Sequence, residues 1–452
     1  MINYIHKNYV SLFTIFPILV YLYYFDQSFK ILSVNLDLRT SLFLIFLILL
    51  FDKNIKIFQS FFKNVIFFSI FIFIQSYLLV NDIGFDFPLN HYLKIFIIIL
   101  FLSILISYSN LIYTKIYKII FLFIITFPLI YLFSRLYCFF LVYENFDIIK
   151  YIDFINLKFG ELRTLLVKFG KYDNAPILFK EQSHFNMIAT FTILFLLKLL
   201  QKIKFNIILY ISSVFYFWII YINFSSTLLF GYSFSLILLM ISDLRNIKKY
   251  SIFYIIASLI FISFHLHLKN KDNKIDNSIE DLNNVISNFD KSTITLETLE
   301  DGVKKSEYIS LKIKNLSSEV YLFNLKISMI AFKNKITGYG INSFSEVHEK
   351  FKNLVPNKLK GSNWLNKTNG SNVMIKSIAE FGIISILMGF LFMYLIFYGN
   401  ISHHKKIIII CGLITIVTVR GAGYVSGGFL LFFAIFIQEF LKKIKHSYLK
   451  LI

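Results

Sequence analysis

The chain has few of the residues that build disulfide frameworks or metal sites. Its 452 residues include only two cysteines and five prolines. Cys138 and Cys411 both fall inside apolar runs and are expected near opposite faces of a bilayer, which argues against a disulfide between them. The nine histidines have no further ligands at the spacing of a zinc site.

Several motifs that announce common enzyme classes are also missing. The sequence contains no GxxxxGK[ST] loop, no GxGxxG after a strand and no HExxH helix. Asp26, Asp37 and Asp52 form no Asp-x-Asp pair, so a metal-dependent glycosyltransferase site of that type is not supported. We therefore expect neither a cofactor nor a metal ion.

Apolar residues are abundant. They make up 57% of the chain, and phenylalanine alone occurs 55 times, which is more than a soluble core of this size could hide. A helix of about 20 apolar residues crosses a hydrocarbon core of about 30 Å. Because the runs are continuous rather than alternating, they favour helices over a barrel. The sequence predicts an all-α, polytopic transmembrane helix bundle.

About twelve spans are predicted, and basic connections alternate between them. If the basic segments and the lysine-rich C-terminal tail are cytoplasmic, every span alternates and both termini lie inside. These lysines account for the net charge of +20, so nucleic acid is not an expected partner. The basic connections are Asp52–Lys63, Thr114–Lys118, Lys198–Lys204, Asp243–Lys249 and His403–Lys406. The spans cover approximately residues 8–25, 36–51, 64–80, 94–112, 117–142, 184–200, 206–222, 226–242, 250–267, 376–398, 405–420 and 424–441.

The spans divide the chain into three parts. Residues 1–266 hold spans one to nine together with an outer loop at 144–183. Residues 267–373 form a large extracytoplasmic (periplasmic) loop. Residues 374–452 hold spans ten to twelve and a cytoplasmic tail.

The large loop has a helical pattern of its own. Apolar residues at three- and four-residue steps predict an amphipathic helix over Ser306–Phe332. Two glycines in Thr337–Gly340 predict a turn. A second, short amphipathic helix over Phe344–Leu354 is expected to end at Pro356. We expect the loop to pack over the outer face of the bundle as a lid.

Two arginines near span ends are candidates for function, because ionisable groups are costly at membrane depth. Arg135 is either such a group or a side chain that snorkels to the interface. Arg420 is followed by Gly421 and Gly423, which permit a close backbone approach. Arg420 is either a phosphate-binding residue or a plain helix end.

The loop before the sixth span is rich in charge. Arg163, Lys171 and Lys180 would face the headgroup layer of the outer leaflet, where arginine forks and lysine charges can bind a lipid diphosphate. Glu181 and His184 lie about one turn apart, so a carboxylate and an imidazole could meet on one helix face. The alternative is a solvated charged loop without chemistry.

Four short motifs occur in a distinctive order between about residues 160 and 390. Arg163 and Gly170 precede Phe179–Phe185 (FKEQSHF), and Phe224–Leu229 (FSSTLL) joins two spans. Ile336–Phe344 (ITGYGINSF) follows the amphipathic helix, and Ser371–Ile383 (SNVMIKSIAEFGI) ends the large loop. In order and topology these motifs resemble the bacterial O-antigen polymerase (Wzy-type) and O-antigen ligase superfamily.

Two departures bear on which member of the superfamily the chain resembles. Ligases begin the last motif with a His-Asn pair, whereas this chain has Ser371 followed by Asn372, which favours a polymerase. The family usually has an arginine before its Gly-x-Gly element. Lys326 is the nearest substitute here.

The resemblance implies metal-independent, inverting glycosyl transfer at the outer face of a bacterial plasma (inner) membrane. The donor would be a glycan on undecaprenyl diphosphate, and the acceptor a lipid-linked repeat unit. Membrane lipid and a chain-length regulator protein are further expected partners. The expected diphosphate-binding residues are Arg163, Lys171, Lys180, Lys326 and Arg420, and the candidate bases are Glu181, His184 and Glu346.

Two alternatives stay open. One is a ligase that moves the glycan to another acceptor. The other is a transporter or flippase for a lipid-linked sugar. A flippase would be expected to carry charged residues deep in several spans, whereas here they cluster towards the outer face.

Overall fold

The computed structural model is predominantly α-helical, which confirms the predicted all-α class for the residues that it describes. An antiparallel hairpin joins strand β1 (Phe29–Ile31) to strand β2 (Val34–Leu36). The predicted spans at 8–25 and 250–267, and nearly all of the span at 36–51, lie outside the described residues. Those residues are 29–31, 34–36, 55–80, 89–142, 155–157, 182–202, 206–223, 225–242, 316–355, 366–368, 370–399, 401–421, 423–424 and 428–451.

Eleven helices follow within the described ranges. Helices α1 and α3 to α5 coincide with predicted spans, although α1 begins nine residues before the predicted start at 64. The helices are α1 (Ile55–Val80), α2 (Leu89–Val142), α3 (Gln182–Lys202), α4 (Ile207–Ile222), α5 (Ser226–Ser242), α6 (Leu316–Asn334), α7 (Phe344–Phe351), α8 (Val373–Phe381), α9 (Ile383–Tyr398), α10 (His403–Ile414) and α11 (Phe429–Leu451).

The predicted connection at Thr114–Lys118 is wrong. Residues 89–142 form one continuous helix of 54 residues where two separate spans were expected. Threonine and lysine are tolerated in a helix, and residues 114–118 contain no glycine or proline. Pro128 lies further along and does not end the helix either. Charge alone therefore did not mark a chain reversal. A helix of this length extends about 80 Å, well beyond the thickness of a bilayer core.

Length and composition support fewer membrane spans than the sequence suggested. Among the described residues, Ile112–Phe140 is long and apolar enough to cross a bilayer. The pair Ile207–Ile222 and Thr227–Ser242, bent by 117°, would add a second if it acts as one span. Four shorter helical stretches are also apolar: Phe58–Ile74, Ile95–Asn110, Ser183–Leu196 and Ile383–Tyr398. A bundle of twelve spans is not confirmed.

Helices α2 to α5, α10 and α11 share one apolar core. At its centre the ring of Phe127 stacks on Phe185, with 5.1 Å between the centroids, and the rings of Phe191 and Phe432 lie 4.4 Å apart. These aromatic side chains bury large areas and account for much of the packing between helices.

Helices α5 and α10 run antiparallel. The Lys406 ammonium donates to the carbonyl of Ser242 at 2.8 Å at one end of the pair. Further along, Gly231 lies against Thr415, so close that a Cβ at Gly231 would come within 2.5 Å of the threonine hydroxyl. Small residues allow such close helix approach.

A second apolar core joins α6, α7 and α8, which we call the α6–α8 cluster. The predicted amphipathic helices and the turn between them are confirmed, with α7 continuing into a 3₁₀ turn at Lys352–Leu354. Helices α6 and α8 run parallel, because Asn324 bonds to Ser371 and Ser328 bonds to Ile375.

The predicted tenth span at 376–398 is divided. Gly382 adopts a φ of +56° and separates α8 from α9. Helix α8 then packs in the α6–α8 cluster, while α9 continues as an apolar helix. The division follows from the glycine, since a left-handed residue ends an α-helix.

Candidate functional site

Four of the eight predicted site residues lie in the described part of the chain. His184 lies in the first turn of α3, Lys326 lies on α6, Glu346 lies in the first turn of α7, and Arg420 follows a π-helical turn at Thr415–Val419. The other four, Arg163, Lys171, Lys180 and Glu181, lie outside the described residues.

Two of the sequence motifs dock on each other through their backbones. The N–H of Tyr339 donates to the carbonyl of Ala379 at 3.0 Å, and the N–H of Gly340 donates to that of Glu380 at 2.8 Å. A third bond of 2.8 Å joins the N–H of Ile383 to the carbonyl of Ile336. The Gly-x-Gly element and the Ala-Glu-x-Gly element therefore form one unit.

Glycine is required on both sides of this contact. Gly338 has a φ of +82°, and a Cβ there would come within 2.4 Å of the Glu380 carbonyl. A Cβ on Gly382 would come within 1.9 Å of the Ile336 carbonyl. No side chain fits at either position, because both the backbone conformation and the space exclude it.

The carboxylate of Glu380 is fully buried at the centre of this unit. Its Oε1 accepts a bond of 3.1 Å from the backbone N–H of Phe344, the first residue of α7. Its Oε2 accepts a bond of 2.7 Å from the hydroxyl of Tyr424. The ammonium of Lys376, one helical turn earlier, lies 3.8 Å from Oε1.

The Ser371–Asn372 pair joins the cluster to the segment that carries Arg420. The Asn372 side chain accepts from Ile375 N–H as the N-cap of α8 and donates to the carbonyl of Thr418 at 2.8 Å. The N–H of Gly421 donates to the carbonyl of Ser371 at 2.9 Å. The close approach expected at Gly421 is confirmed, because a Cβ there would lie 3.3 Å from the nitrogen of Val373.

Arg420 lies where the helical chain gives way to extended backbone. Its φ is −151°, and its N–H donates to the carbonyl of Thr415 at 2.9 Å. Its side chain is half-buried. Because α5 and α10 are antiparallel, Arg420, which follows α10 in the chain, lies near the N-terminal end of α5. The Ser/Thr-rich hairpin is at the same end.

That hairpin is bonded to the start of α3. The amide of Asn186 donates to the carbonyl of Asn223 at 2.6 Å and to the hydroxyl of Ser225 at 2.8 Å. His184 lies half a turn before Asn186 and is buried. The hairpin therefore brings His184 to the same end of the bundle as Arg420.

Lys326 and Glu346 are both half-buried members of the α6–α8 cluster. Burial lowers the pKa of the Lys326 ammonium from its ordinary value of 10.5. The Oε2 atom of Glu346 is buried and accepts no hydrogen bond. A carboxylate oxygen with free lone pairs can accept a proton, which is the capacity that a general base needs.

Glu380 bonds to residues that lie close in sequence to two of the predicted site residues, Glu346 and Arg420. Glu346 lies two residues after Phe344, and Arg420 lies four residues before Tyr424. Phe344 and Tyr424 both bond to the carboxylate of Glu380. Lys326 stands on the helix that packs against α8.

The interpretation of Arg135 as a snorkelling side chain is wrong. Its guanidinium is 1% exposed and donates to the Tyr131 hydroxyl and, at 2.6 Å, to the Leu157 carbonyl. The bond to Leu157 ties α2 to a residue of the predicted loop at 144–183.

Sequence reasoning missed Glu380, Lys376 and Tyr424 as site residues. A signal was present, because Lys376 and Glu380 lie four residues apart at the start of a predicted span, where charge is costly. Nothing in the sequence indicated that Tyr424 would complete the group.

Within the described ranges, no group of three histidine, cysteine, aspartate or glutamate side chains is placed to hold a metal ion. Comparison of the chain with protein-family models, with curated proteins and with solved structures finds no match.

Proposed function

We propose that the chain is a surface-polysaccharide polymerase of the O-antigen type in a bacterial plasma (inner) membrane. It transfers a glycan from undecaprenyl diphosphate to a lipid-linked repeat unit by a metal-independent, inverting reaction at the outer face. The observation that carries the proposal is the direct bonding between the Gly-x-Gly and Ala-Glu-x-Gly motifs, on which the resemblance partly rests. Two motifs some 40 residues apart form one structural unit beside Arg420.

The membrane setting is supported by large apolar side chains on the surface of the bundle. Phe67 on α1, Val214 on α4 and Phe390 on α9 are between 64% and 70% exposed. Soluble monomers rarely expose large apolar side chains on so many helices, whereas lipid-facing helices do. We propose a polytopic bundle; the count of twelve spans assumed a reversal that α2 lacks. Cytoplasmic termini remain a prediction of the basic-residue pattern.

The diphosphate of the donor would be held by cations. Arg420 supplies a guanidinium fork beside the cluster, and Lys326 supplies an ammonium. Arg163, Lys171 and Lys180 are the remaining candidates from the sequence. Such cations stabilise the charge that develops as the sugar–phosphate bond breaks, so no metal is needed.

The acceptor hydroxyl would be deprotonated by Glu346, whose Oε2 accepts no bond. The hydroxyl oxygen then attacks the anomeric carbon of the donor sugar. The bond between that carbon and the diphosphate oxygen breaks, and undecaprenyl diphosphate leaves with the electron pair. Attack from the opposite face inverts the anomeric configuration. His184 and Glu181 are the other candidate bases.

A polymerase is favoured over a ligase by the surroundings of Ser371. This residue stands where ligases are expected to have histidine. Its side chain is 1% exposed and its hydroxyl accepts a bond of 3.0 Å from Asn324. The position is therefore part of the packing between α6 and α8.

The surface glycan of a deletion strain tests the proposal. Loss of long chains with a single repeat still attached to its acceptor is the expected result. Loss of every repeat would instead indicate a ligase or a flippase. Complementation with Arg420→Ala or Glu346→Gln should leave the single-repeat product, whereas Lys352→Ala, an exposed change on the same cluster, should restore long chains. Full-length chains with Arg420→Ala would contradict the site.

A further inference from the structure

We propose that Glu380 is a positioning residue that sets the distance between the candidate base on α7 and the arginine that binds the diphosphate. This role rests on the proposed function, which supplies the reaction. We call the bonds that Glu380 makes to the start of α7 and to Tyr424 the clamp. These contacts can be tested without that reaction.

The first half of the clamp holds the start of α7. Besides the bond from Phe344, the Glu380 carboxylate accepts from the backbone N–H of Asn342. Its carbonyl accepts from Gly340. One residue thus binds the chain at three points within five residues. Glu346 stands one half-turn further on, so its position depends on this attachment.

The second half of the clamp holds the segment after Arg420. The Tyr424 hydroxyl donates to Glu380 Oε2 at 2.7 Å, and the ring of Tyr424 lies 5.0 Å from the Lys376 ammonium. Lys376 also donates to the carbonyl of Thr368 at 3.1 Å. The Glu380 carboxyl group and the Lys376 ammonium are both buried, so removing either one leaves the other buried without this partner.

The two halves use different oxygens of one carboxylate. A shift of α7 would therefore displace Oε2, which accepts from Tyr424. A shift of Tyr424 would displace Oε1, which accepts from Phe344 at the start of α7. No other group in the described part of the chain bonds to both Phe344 and Tyr424. This geometry separates Glu380 from residues that only fill the core of the cluster, such as Ile375.

Hydrogen exchange on the full chain in detergent tests the contacts. Glu380→Ala should raise exchange at residues 342–347 at least tenfold, and Glu380→Asp should raise it less. Tyr424→Phe removes one hydroxyl and keeps the ring, so exchange should rise at residues 420–424. Tyr398→Phe, on the exposed face of α9, is the matched control and should change neither segment. Unchanged exchange at 342–347 in Glu380→Ala would overturn the clamp.

Kinetics of the purified full chain with lipid-linked repeats test the positioning. Tyr424→Phe should lower kcat about tenfold with KM within about twofold, because the substrate contacts stay and their alignment is lost. The kcat must be calculated per folded molecule, because partial unfolding would by itself lower the apparent kcat at unchanged KM. Unchanged kcat in Tyr424→Phe, with activity abolished by Arg420→Ala, would overturn the positioning role and leave the proposed function standing. If the wild-type chain forms no polymer, the function fails while the exchange experiment still decides the clamp.

Discussion

The helical bundle and the α6–α8 cluster are held together by different kinds of contact. In the bundle, apolar side chains from α2 to α5, α10 and α11 fill one core, and aromatic rings such as Phe127 and Phe185 stack at its centre. In the cluster, glycines with positive φ and one buried carboxylate fix how the segments join. Many apolar side chains can satisfy the first kind of contact, whereas few residues can satisfy the second.

Gly382→Ala should give the largest effect and break the cluster. A Cβ at this position would come within 1.9 Å of the Ile336 carbonyl, so we expect a loss of about 4 kcal/mol or more in the free energy of unfolding of the cluster. Protease resistance of the full chain in detergent measures it. Gly389→Ala in α9, where a Cβ meets nothing within 4 Å, is the control and should be neutral or slightly stabilising. Equal protease resistance of Gly382→Ala and Gly389→Ala would refute the proposed difference between the α6–α8 cluster and the helical bundle.

Phe127→Ala should come next and weaken the bundle. The side chain is fully buried among stacked rings, and the cavity left by its removal should cost about 3 kcal/mol. Phe127→Leu should cost less than half as much, since a bundle core tolerates changes that conserve most of the volume. Thermal melting in detergent compares the two, with Phe133→Ala, 68% exposed, as the control. A Phe127→Leu variant as unstable as Phe127→Ala would show that the bundle is as specific as the cluster.

Acidification should destabilise the cluster through His348. The imidazole is buried between Phe323 and Phe344, and neither ring nitrogen has a hydrogen-bond partner. Burial lowers the pKa of His348 from 6.5 to about 4. Nearby Glu349 opposes the shift, while Lys352 and Lys367 add to it.

The direction of this pH dependence follows because burial favours the neutral imidazole of His348 in the folded state. The folded state favours the neutral form, so its stabilisation is complete above pH 6.5 and is lost as the pH falls towards about 4. We expect a loss of about 3 kcal/mol over that window. Unfolding of the full chain as a function of pH measures it, and His348→Phe should remove the dependence. A pH profile that His348→Phe leaves unchanged would assign the effect to another group.

Lys352→Ala should have the smallest effect. Lys352 and Glu349 form an ion pair on the surface of α7, with side chains 32% and 50% exposed. Exposed pairs of this kind contribute below about 0.5 kcal/mol, and salt weakens them further. Melting at low and high salt should therefore barely separate the variant from the wild type. A large fall in melting temperature would mean that surface contacts stabilise the cluster as much as its buried contacts do.

The elements that could be predicted are those whose signal is local. The apolar runs predicted α3, α4 and α5 within a few residues, and the amphipathic spacing predicted α6 and α7. The two glycines of the Gly-x-Gly element predicted a turn, and Gly338 and Gly340 both have positive φ. In each case, neighbours in the sequence carry the information.

The errors arose where a local signal had two meanings. The lysines at 115 and 118 favour a connection between spans, but lysine also suits a helix, and α2 continues through them. Gly382 was placed inside a span because its neighbours are apolar, yet its positive φ divides α8 from α9. An arginine at the position of Arg135 suits either a functional site or snorkelling, and no local pattern indicates its bond to Leu157, 22 residues away.

The sequence by itself determined the helical class, the position of most helices and the turn at Gly338 and Gly340, because hydrophobic period and backbone sterics act between near neighbours. Tertiary structure alone decided that residues 344, 380 and 424 meet at one carboxylate. These contacts join segments 36 and 44 residues apart. Such contacts depend on how α6, α8 and α10 pack, and no pattern in one segment records the position of another.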